Sequence, residues 1–227
     1  MITLRAWRAL PGLRHGFLDH AESAAGAGDW SRALRAAGEK LPIATVRQVH
    51  GVAVATADEP GVEADAVVTA RRGIAVGVVT ADCVPALLLA PRAGAVAAVH
   101  AGWRGAAAGV VEAALARLRD DFGVRPAEVE ALLGPAIGPC CYRVGPEVEA
   151  AFVARSGDTT GAAWRRHGDQ LFLDMRRAVG LLLEAAGAGS VAAVGPCTAC
   201  TASLASYRRD GAGAGRQLSF IGWAAGA

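Results

Sequence analysis

Residues 74–100 read IAVGVVTADCVPALLLAPRAGAVAAVH and contain the most apolar stretch of the chain. Asp82 and Pro85 interrupt this stretch, so it lacks the roughly 20 consecutive apolar residues of a membrane span. Its Val, Ile and Leu content instead predicts three buried strands, over residues 74–80, 86–90 and 95–100. A Pro-Arg-Ala-Gly turn joins the last two strands, so the chain folds back on itself here.

The rest of the chain mixes strands with helices. An apolar face of helical period runs along residues 109–122, a proline opens a helix over 147–154, and a glycine closes a helix over 174–186. Further strands are predicted over residues 43–49, 64–69, 129–133, 190–194 and 217–221, with 52–55 continuing the first of them. This mixture predicts an α/β or α+β fold, a single layered domain over residues 1–227 with mixed sheets flanked by helices.

Composition and charge exclude several classes of protein. The chain has 227 residues, 53% of them hydrophobic, and a mean hydropathy of +0.31, which is too apolar for a disordered segment. A net charge of +2 indicates neither a nucleic-acid nor a membrane partner. The first residues lack the apolar core of a signal peptide, and five cysteines, an odd number, are typical of a reducing compartment. We therefore expect a cytoplasmic protein.

Three possible metal ligands follow apolar segments: His50, Cys83 and His100. Two imidazoles and one thiol suit zinc, and three protein ligands leave one coordination position for water or substrate. Each residue alone also has a structural interpretation, as a histidine at the edge of the core or as a buried thiol. Taken together, the three residues predict a metal-dependent enzyme.

A possible anion site follows His100. Gly102, Arg104 and Gly105 lie between a predicted strand and a predicted helix, where glycines let backbone N–H groups approach a ligand and the arginine adds positive charge. The alternative is a tight strand-to-helix turn with an exposed arginine. We favour the anion site.

The remaining cysteines are Cys140, Cys141, Cys197 and Cys200. The Cys-x-x-Cys spacing of the last two is compatible with zinc binding or thiol redox chemistry. A second pair of that spacing does not occur, and two adjacent cysteines are not expected to face one ion. The spacing therefore does not predict a structural four-cysteine zinc site, and we interpret the four as packing and loop residues.

Six segments, in order along the chain, resemble the laccase-domain family, also called polyphenol-oxidase-like or multicopper-oxidoreductase-like. They are residues 48–51 (QVHG), 64–69 (ADAVVT), 80–83 (TADC), 100–105 (HAGWRG), 134–142 (GPAIGPCCY) and 206–211 (SYRRDG). The resemblance implies a layered fold similar to that of a toxin deamidase with a Cys–His pair. It also implies zinc-dependent phosphorolysis of adenosine, inosine, guanosine and methylthioadenosine, with adenosine deamination in some members.

The resemblance also implies residue roles and partners. The family's His, Cys, His ligand trio corresponds to His50, Cys83 and His100, with zinc as the metal and copper less favoured. From the same residues we also expect Cys83 and His100 to be catalytic and Asp82 to orient a ligand or move a proton. The partners would be a nucleoside and phosphate, and the protein a monomer or homodimer.

Four residues are candidates for substrate binding. Arg104 is the first choice for the phosphate, Arg47 and Gln48 are further contributors, and Arg208 is a weaker one. The chain departs from the family where a shortened, alanine-rich segment follows residues 15–17. Because of this departure, the resemblance does not determine which substrate the protein prefers.

Two other functions use the same residues. In a Cys–His hydrolase or amidase that edits peptidoglycan precursors, Cys83 would be the nucleophile and His100 its base. A copper-dependent polyphenol oxidase needs many histidine ligands, and the chain has five histidines in all. The oxidase is therefore the least favoured function.

Overall fold

The computed structural model describes residues 1–226 and stacks two β-sheets face to face, with helices on both outer faces. The strands are β1 (Leu13–Phe17), β2 (Ile43–Thr45), β3 (Val54–Thr56), β4 (Ala66–Thr69), β5 (Ile74–Thr80), β6 (Val84–Ala90), β7 (Ala95–Ala101), β8 (Glu130–Leu133), β9 (Arg143–Val144), β10 (Trp164–His167), β11 (Gln170–Leu173), β12 (Ser190–Ala193) and β13 (Gln217–Trp223). The helices are α1 (Arg5–Arg8), α2 (His20–Ala24), α3 (Trp30–Ala36), α4 (Trp103–Ala108), α5 (Val110–Phe122), α6 (Pro146–Ser156), α7 (Met175–Ala185) and α8 (Tyr207–Asp210).

Both large sheets are mixed, as predicted. The six-stranded sheet has the order β12-β8-β6-β7-β4-β3, and the four-stranded sheet has the order β1-β13-β5-β2. Tight turns make β6 antiparallel to β7, whereas β3 and β4 are parallel, as are β2 and β5. A smaller sheet, β10-β11-β9, lies apart from these two.

Three apolar layers hold the sheets and helices together. Side chains such as Val76, Leu87 and Ile221 fill the space between the two sheets. The opposite face of the six-stranded sheet packs against α5 and α7, and the opposite face of the four-stranded sheet packs against α3. Because both faces of β6 and β7 are covered, all their residues are buried, which explains the unbroken apolar sequence there.

One predicted strand connection is wrong. Residues 52–55 do not continue the strand at 43–49, because β2 belongs to the four-stranded sheet and β3 to the six-stranded sheet. His50 has a φ of 60°, a left-handed conformation that an extended strand cannot contain. The chain therefore turns at His50 and crosses from one sheet to the other.

The connections that cross between the two stacked sheets carry two of the predicted ligands at one edge of the sheets. The β2–β3 connection carries His50, and the β5–β6 connection, which makes the same crossing, carries Cys83. His100 lies near the end of β7. No helix within residues 1–226 is long and apolar enough to cross a membrane.

Candidate metal centre and active site

The three predicted ligands lie together at this edge. One ligand atom each from His50, Cys83 and His100 lies within 4.8 Å of the other two, so the group could bind a metal ion. The Cys83 Sγ is 3.9 Å from the His50 Nε2. The two imidazoles meet edge to face, with ring centroids 4.8 Å apart.

Asp65, which sequence reasoning did not single out, positions both histidines. Its side chain is fully buried, and its Oδ1 is 2.7 Å from His100 Nδ1. The same carboxylate accepts hydrogen bonds from the backbone N–H groups of Val49, His50 and Gly51, at 3.2, 2.9 and 2.7 Å. These bonds hold the left-handed turn at His50. One carboxylate therefore orients one histidine through its ring and the other through its backbone.

A signal for Asp65 was present in the sequence. It lies at the start of an otherwise apolar strand segment, residues 64–69. A buried acid needs hydrogen-bond partners or a positive neighbour, so an acid in such a segment marks a polar site.

Two glycines let α4 approach the ligands. A Cβ at Gly102 would lie 2.8 Å from the His50 Cδ2 and 3.2 Å from the Cys83 Sγ. A Cβ at Gly105 would lie 2.8 Å from the Gly51 carbonyl oxygen. The predicted glycine-rich turn therefore leaves room for the ligands, in addition to starting the helix.

The ligands perturb one another's protonation. Burial favours the neutral Cys83 thiol, but hydrogen bonds to His100 and His50 outweigh burial and lower the pKa of Cys83 to about 7. Burial also favours neutral His100, but its hydrogen bonds to Asp65 and Cys83 raise the pKa of His100 to about 9. Without metal, His100 is therefore mainly imidazolium at neutral pH, and Cys83 is a thiolate in a larger fraction than an ordinary cysteine.

A cavity of about 570 Å³ opens directly over the ligands. Among its lining residues are the predicted Gln48, Asp82, Arg104 and Arg208. Its walls also contain Trp103, Tyr142, Tyr207 and Arg216, which were not predicted. The cavity thus combines aromatic faces with positive charge next to the possible metal ligands.

Arg47 is the predicted binding residue that the structure does not bring to this cavity. Its guanidinium points away and forms an exposed ion pair with Glu63, with an N–O distance of 2.7 Å. Neighbouring Gln48 does line the cavity, but its amide both donates to and accepts from the backbone of Val79. Gln48 therefore ties the His50 loop to β5.

Asp82 is held firmly in the cavity wall. Its φ is 90°, and its carboxylate accepts hydrogen bonds from the Thr198 hydroxyl and the Arg208 backbone N–H, both at 2.6 Å. The carboxylate thus joins the Cys83 turn to the segment containing Thr198 and Arg208. Its predicted part in catalysis remains a prediction.

The arginines of the cavity differ in their availability. Arg208 donates to the carbonyls of Cys141 and Arg143, and Arg216 donates to those of Ala214 and Gly215. Arg104 instead stacks over the Trp103 ring at 4.4 Å and has no hydrogen-bond acceptor among residues 1–226. Arg104 is therefore the cavity arginine best able to bind an anion.

The other four cysteines lie in loops, as predicted, and they also come together in space, which their spacing did not predict. Cys140, Cys141, Cys197 and Cys200 converge, with one sulfur from each within 4.8 Å of the rest. Residues about 60 positions apart meet here because two loops pack side by side, which the Cys-x-x-Cys spacing alone could not show.

Comparisons with known proteins agree with the sequence resemblance. The chain is 39% identical over 180 residues to a purine nucleoside phosphorylase of Deinococcus radiodurans, covering 79% of this chain and 69% of that protein. It is 44% identical over 166 residues to a purine nucleoside phosphorylase of Pseudomonas aeruginosa, covering 72% of this chain and 67% of that protein.

Solved structures share the fold. YlmD from Geobacillus stearothermophilus superposes with a TM-score of 0.81 at 28% identity, covering 94% of this chain and 93% of that one. A Neisseria meningitidis protein superposes with a TM-score of 0.80 at 32% identity, covering 96% and 97%. Residues 18–224 match the family described as multi-copper polyphenol oxidoreductase laccase, and the chain belongs to that family.

Proposed function

We propose that the protein is a zinc-dependent purine nucleoside phosphorylase. The observation that carries the proposal is the convergence of His50, Cys83 and His100 on a cavity that also contains Arg104. The curated relatives named purine nucleoside phosphorylase support the same reaction.

The ligand set fits zinc. Two imidazole nitrogens and one thiolate are common zinc ligands, and three protein ligands would leave one coordination position for water or substrate. The Asp65–His100 hydrogen bond is the carboxylate contact that zinc-binding histidines usually make. When bound, zinc would supply a Lewis acid beside the reacting atoms.

Copper oxidase chemistry fits less well. Among residues 1–226, the groups of possible metal ligands are this trio and the four converging cysteines, and they contain two histidines between them. A multicopper site needs more imidazoles than that.

In phosphorolysis, a phosphate oxygen forms a bond to the ribose C1′ while the bond from C1′ to the purine nitrogen breaks. The purine leaves with the electron pair, so the site must hold an anion and stabilise charge on the departing base. Arg104 would bind the phosphate. Trp103 and Tyr142 offer aromatic faces for the purine.

Tyr142 would contribute a proton donor as well as a ring. Burial raises the pKa of its hydroxyl to about 12, so the group stays protonated at neutral pH. A neutral hydroxyl can donate a hydrogen bond to the purine as negative charge develops on it.

A second candidate is the Cys–His amidase, with peptidoglycan precursors as substrates. In this reaction Asp65 would orient His100, His100 would be the base, and Cys83, whose pKa is lowered, would be the nucleophile. His50 on the other side of the sulfur favours metal binding over a free nucleophile.

The test is purine release from inosine and adenosine by zinc-loaded protein, with and without phosphate. We expect free base only with phosphate and none from Cys83→Ala. Arg104→Gln should raise the KM for phosphate about 10-fold or more, because one charged hydrogen bond contributes roughly 1.5–3 kcal/mol. The matched control is Arg47→Gln, outside the cavity, with wild-type KM. Base release without phosphate, or none at all, would contradict the proposal.

Adenosine deamination is a further expectation of the same site. Water would then replace the amino group of adenosine, giving inosine and ammonia. The adenosine reaction without phosphate tests this, and the absence of inosine would remove the deaminase activity from the proposal.

A further inference from the structure

We infer that Cys140, Cys141, Cys197 and Cys200 form a second zinc site, separate from the His50, Cys83 and His100 trio. Four thiolates would fill all four positions of a tetrahedral ion, which is the arrangement of structural zinc. We call this group the four-cysteine site.

The sulfur positions fit one tetrahedral ion. Zinc–sulfur bonds of about 2.3 Å place neighbouring sulfurs roughly 3.8 Å apart in a tetrahedron. Here the Cys200 Sγ is 3.3 Å from that of Cys141 and 3.6 Å from that of Cys140, and all four lie within 4.8 Å of one another. None of these pairs is a disulfide, which requires about 2.05 Å, and all four cysteines are free.

The two loops aim their sulfurs at a common point. Cys141 N and Tyr142 N both donate to the carbonyl of Gly138, which folds residues 138–142 into a tight turn. Gly138 N in turn donates to the Cys197 Sγ at 3.1 Å. A Cβ at Gly138 would lie 3.3 Å from the Cys140 Sγ, so glycine allows the close approach.

Two arginine side chains hold the loops that carry the four cysteines. Arg208 donates to the carbonyl of Cys141, and Arg209 donates to those of Thr198 and Thr201. These hydrogen bonds fix the backbone of the loops that carry the sulfurs. The cysteines would release their protons to solvent as the metal binds.

A metal here would stabilise the wall of the catalytic cavity. Thr198, next to Cys197, bonds Asp82, and Arg208 lies over the Tyr142 ring next to Cys141. The ion would join the two loops that hold these side chains. With no open coordination position, its role would be structural.

The first test is zinc content by mass spectrometry of protein purified with a reductant. We expect about two zinc ions per chain in wild type, and about one in Cys197→Ser/Cys200→Ser. The matched control, Cys83→Ser/His100→Ala, removes two ligands of the trio and should also retain about one. Equal zinc in wild type and in the Cys197→Ser/Cys200→Ser variant would overturn the inference.

A second measurement avoids altering the four-cysteine site. Cobalt added to the Cys83→Ser/His100→Ala variant should give near-ultraviolet sulfur-to-cobalt charge-transfer bands and visible bands of a tetrahedral ion, and zinc should abolish both. A missing cobalt spectrum would overturn the inference. A disulfide among the four remaining cysteines of that variant would also overturn the inference. It would be detected by thiol titration of the variant, unfolded after its metal has been chelated.

Discussion

Asp65 has no exposed surface, yet its carboxylate accepts three backbone hydrogen bonds as well as the contact from His100. The hydrogen bonds from His100 and from backbone N–H groups outweigh burial and lower the pKa of Asp65, so the charge is retained inside the protein. At the scale of single residues, this carboxylate is the group on which the geometry of the trio depends.

Asp65→Asn keeps the shape of the side chain but removes its charge. The amide cannot accept all four contacts, so both histidines lose their orientation. We expect zinc affinity to fall about 10- to 100-fold, measured by competition with a chromogenic chelator. The control is Glu63→Gln, which removes a carboxylate whose ion pair among residues 1–226 is with exposed Arg47. An unchanged affinity in Asp65→Asn would show that the carboxylate does not support the trio.

His15 makes stability depend on pH. Its side chain is buried, and its Nε2 accepts from Leu4 N at 3.0 Å. Burial, followed by the charge of Arg8, lowers the pKa of His15 to about 4 from 6.5. Between pH 4 and 6.5 the unfolded chain therefore binds more protons than the folded chain. The stabilisation that comes from keeping His15 neutral is complete above pH 6.5 and is lost as the pH falls toward 4.

We expect wild type to lose up to about 3 kcal/mol more unfolding free energy than His15→Gln between pH 6.5 and 4. The measurement is denaturant unfolding at several pH values. His167→Gln, which removes an exposed histidine, is the control. Parallel pH curves for wild type and His15→Gln would contradict this assignment.

At the scale of elements, the site depends on short connections between sheets and on the start of α4. Gly102 lies before α4 with a φ of −71°, which any residue can adopt. Alanine at Gly102 is therefore excluded by contact with His50 and Cys83, and not by backbone conformation.

Gly102→Ala should displace His50 or Cys83 and weaken zinc binding at least about 10-fold, since either movement disturbs a ligand. The affinity is measured by the same chelator competition. Gly213→Ala is the control, because a Cβ at Gly213 would meet nothing within 4 Å. If Gly102→Ala folds and keeps wild-type zinc affinity, the residues beside Gly102 are not the zinc ligands.

Elements were predictable where burial imposes a pattern. Strand β5 has the predicted bounds, and β6 and β7 differ from theirs by one or two residues, because unbroken apolar sequence marks strands covered on both faces. Strand β10 was missed because three of its four residues are exposed. Its Trp-Arg-Arg-His sequence has neither strand alternation nor an apolar run.

The candidate site was predictable for a different reason. His50, Cys83 and His100 are ligand types at strand ends, and a family resemblance joined them. Asp65 and the four-cysteine site depend on contacts between segments far apart in sequence, such as the Cys141–Cys200 contact. Local pattern can mark Asp65 as a buried acid, but it does not identify the distant segments that Asp65 or the four cysteines contact.

At the scale of the whole molecule, the two ends of the described chain meet in one sheet. Strand β1 pairs with β13 along its full length, and β13 pairs with β5 in the middle of the sequence. Loss of either terminal strand would therefore expose the core between the sheets. We propose on this basis that residues 1–227 form one domain.

A single domain should unfold in one cooperative transition. Urea curves from far-ultraviolet circular dichroism and from tryptophan fluorescence should coincide, because the five tryptophans are spread from Trp7 to Trp223. The experiment uses protein stripped of metal, so that metal release adds no second step. Two separated transitions would contradict the one-domain proposal.

We propose that the trio and Arg104 support transfer of ribose from a purine to phosphate. The most direct test is phosphorus NMR of zinc-loaded protein with inosine and phosphate. We predict a new sugar phosphate signal that grows in step with hypoxanthine and is absent with Cys83→Ala. Hypoxanthine without a sugar phosphate, or no turnover at all, would contradict the claim, and the second result would favour the Cys–His amidase.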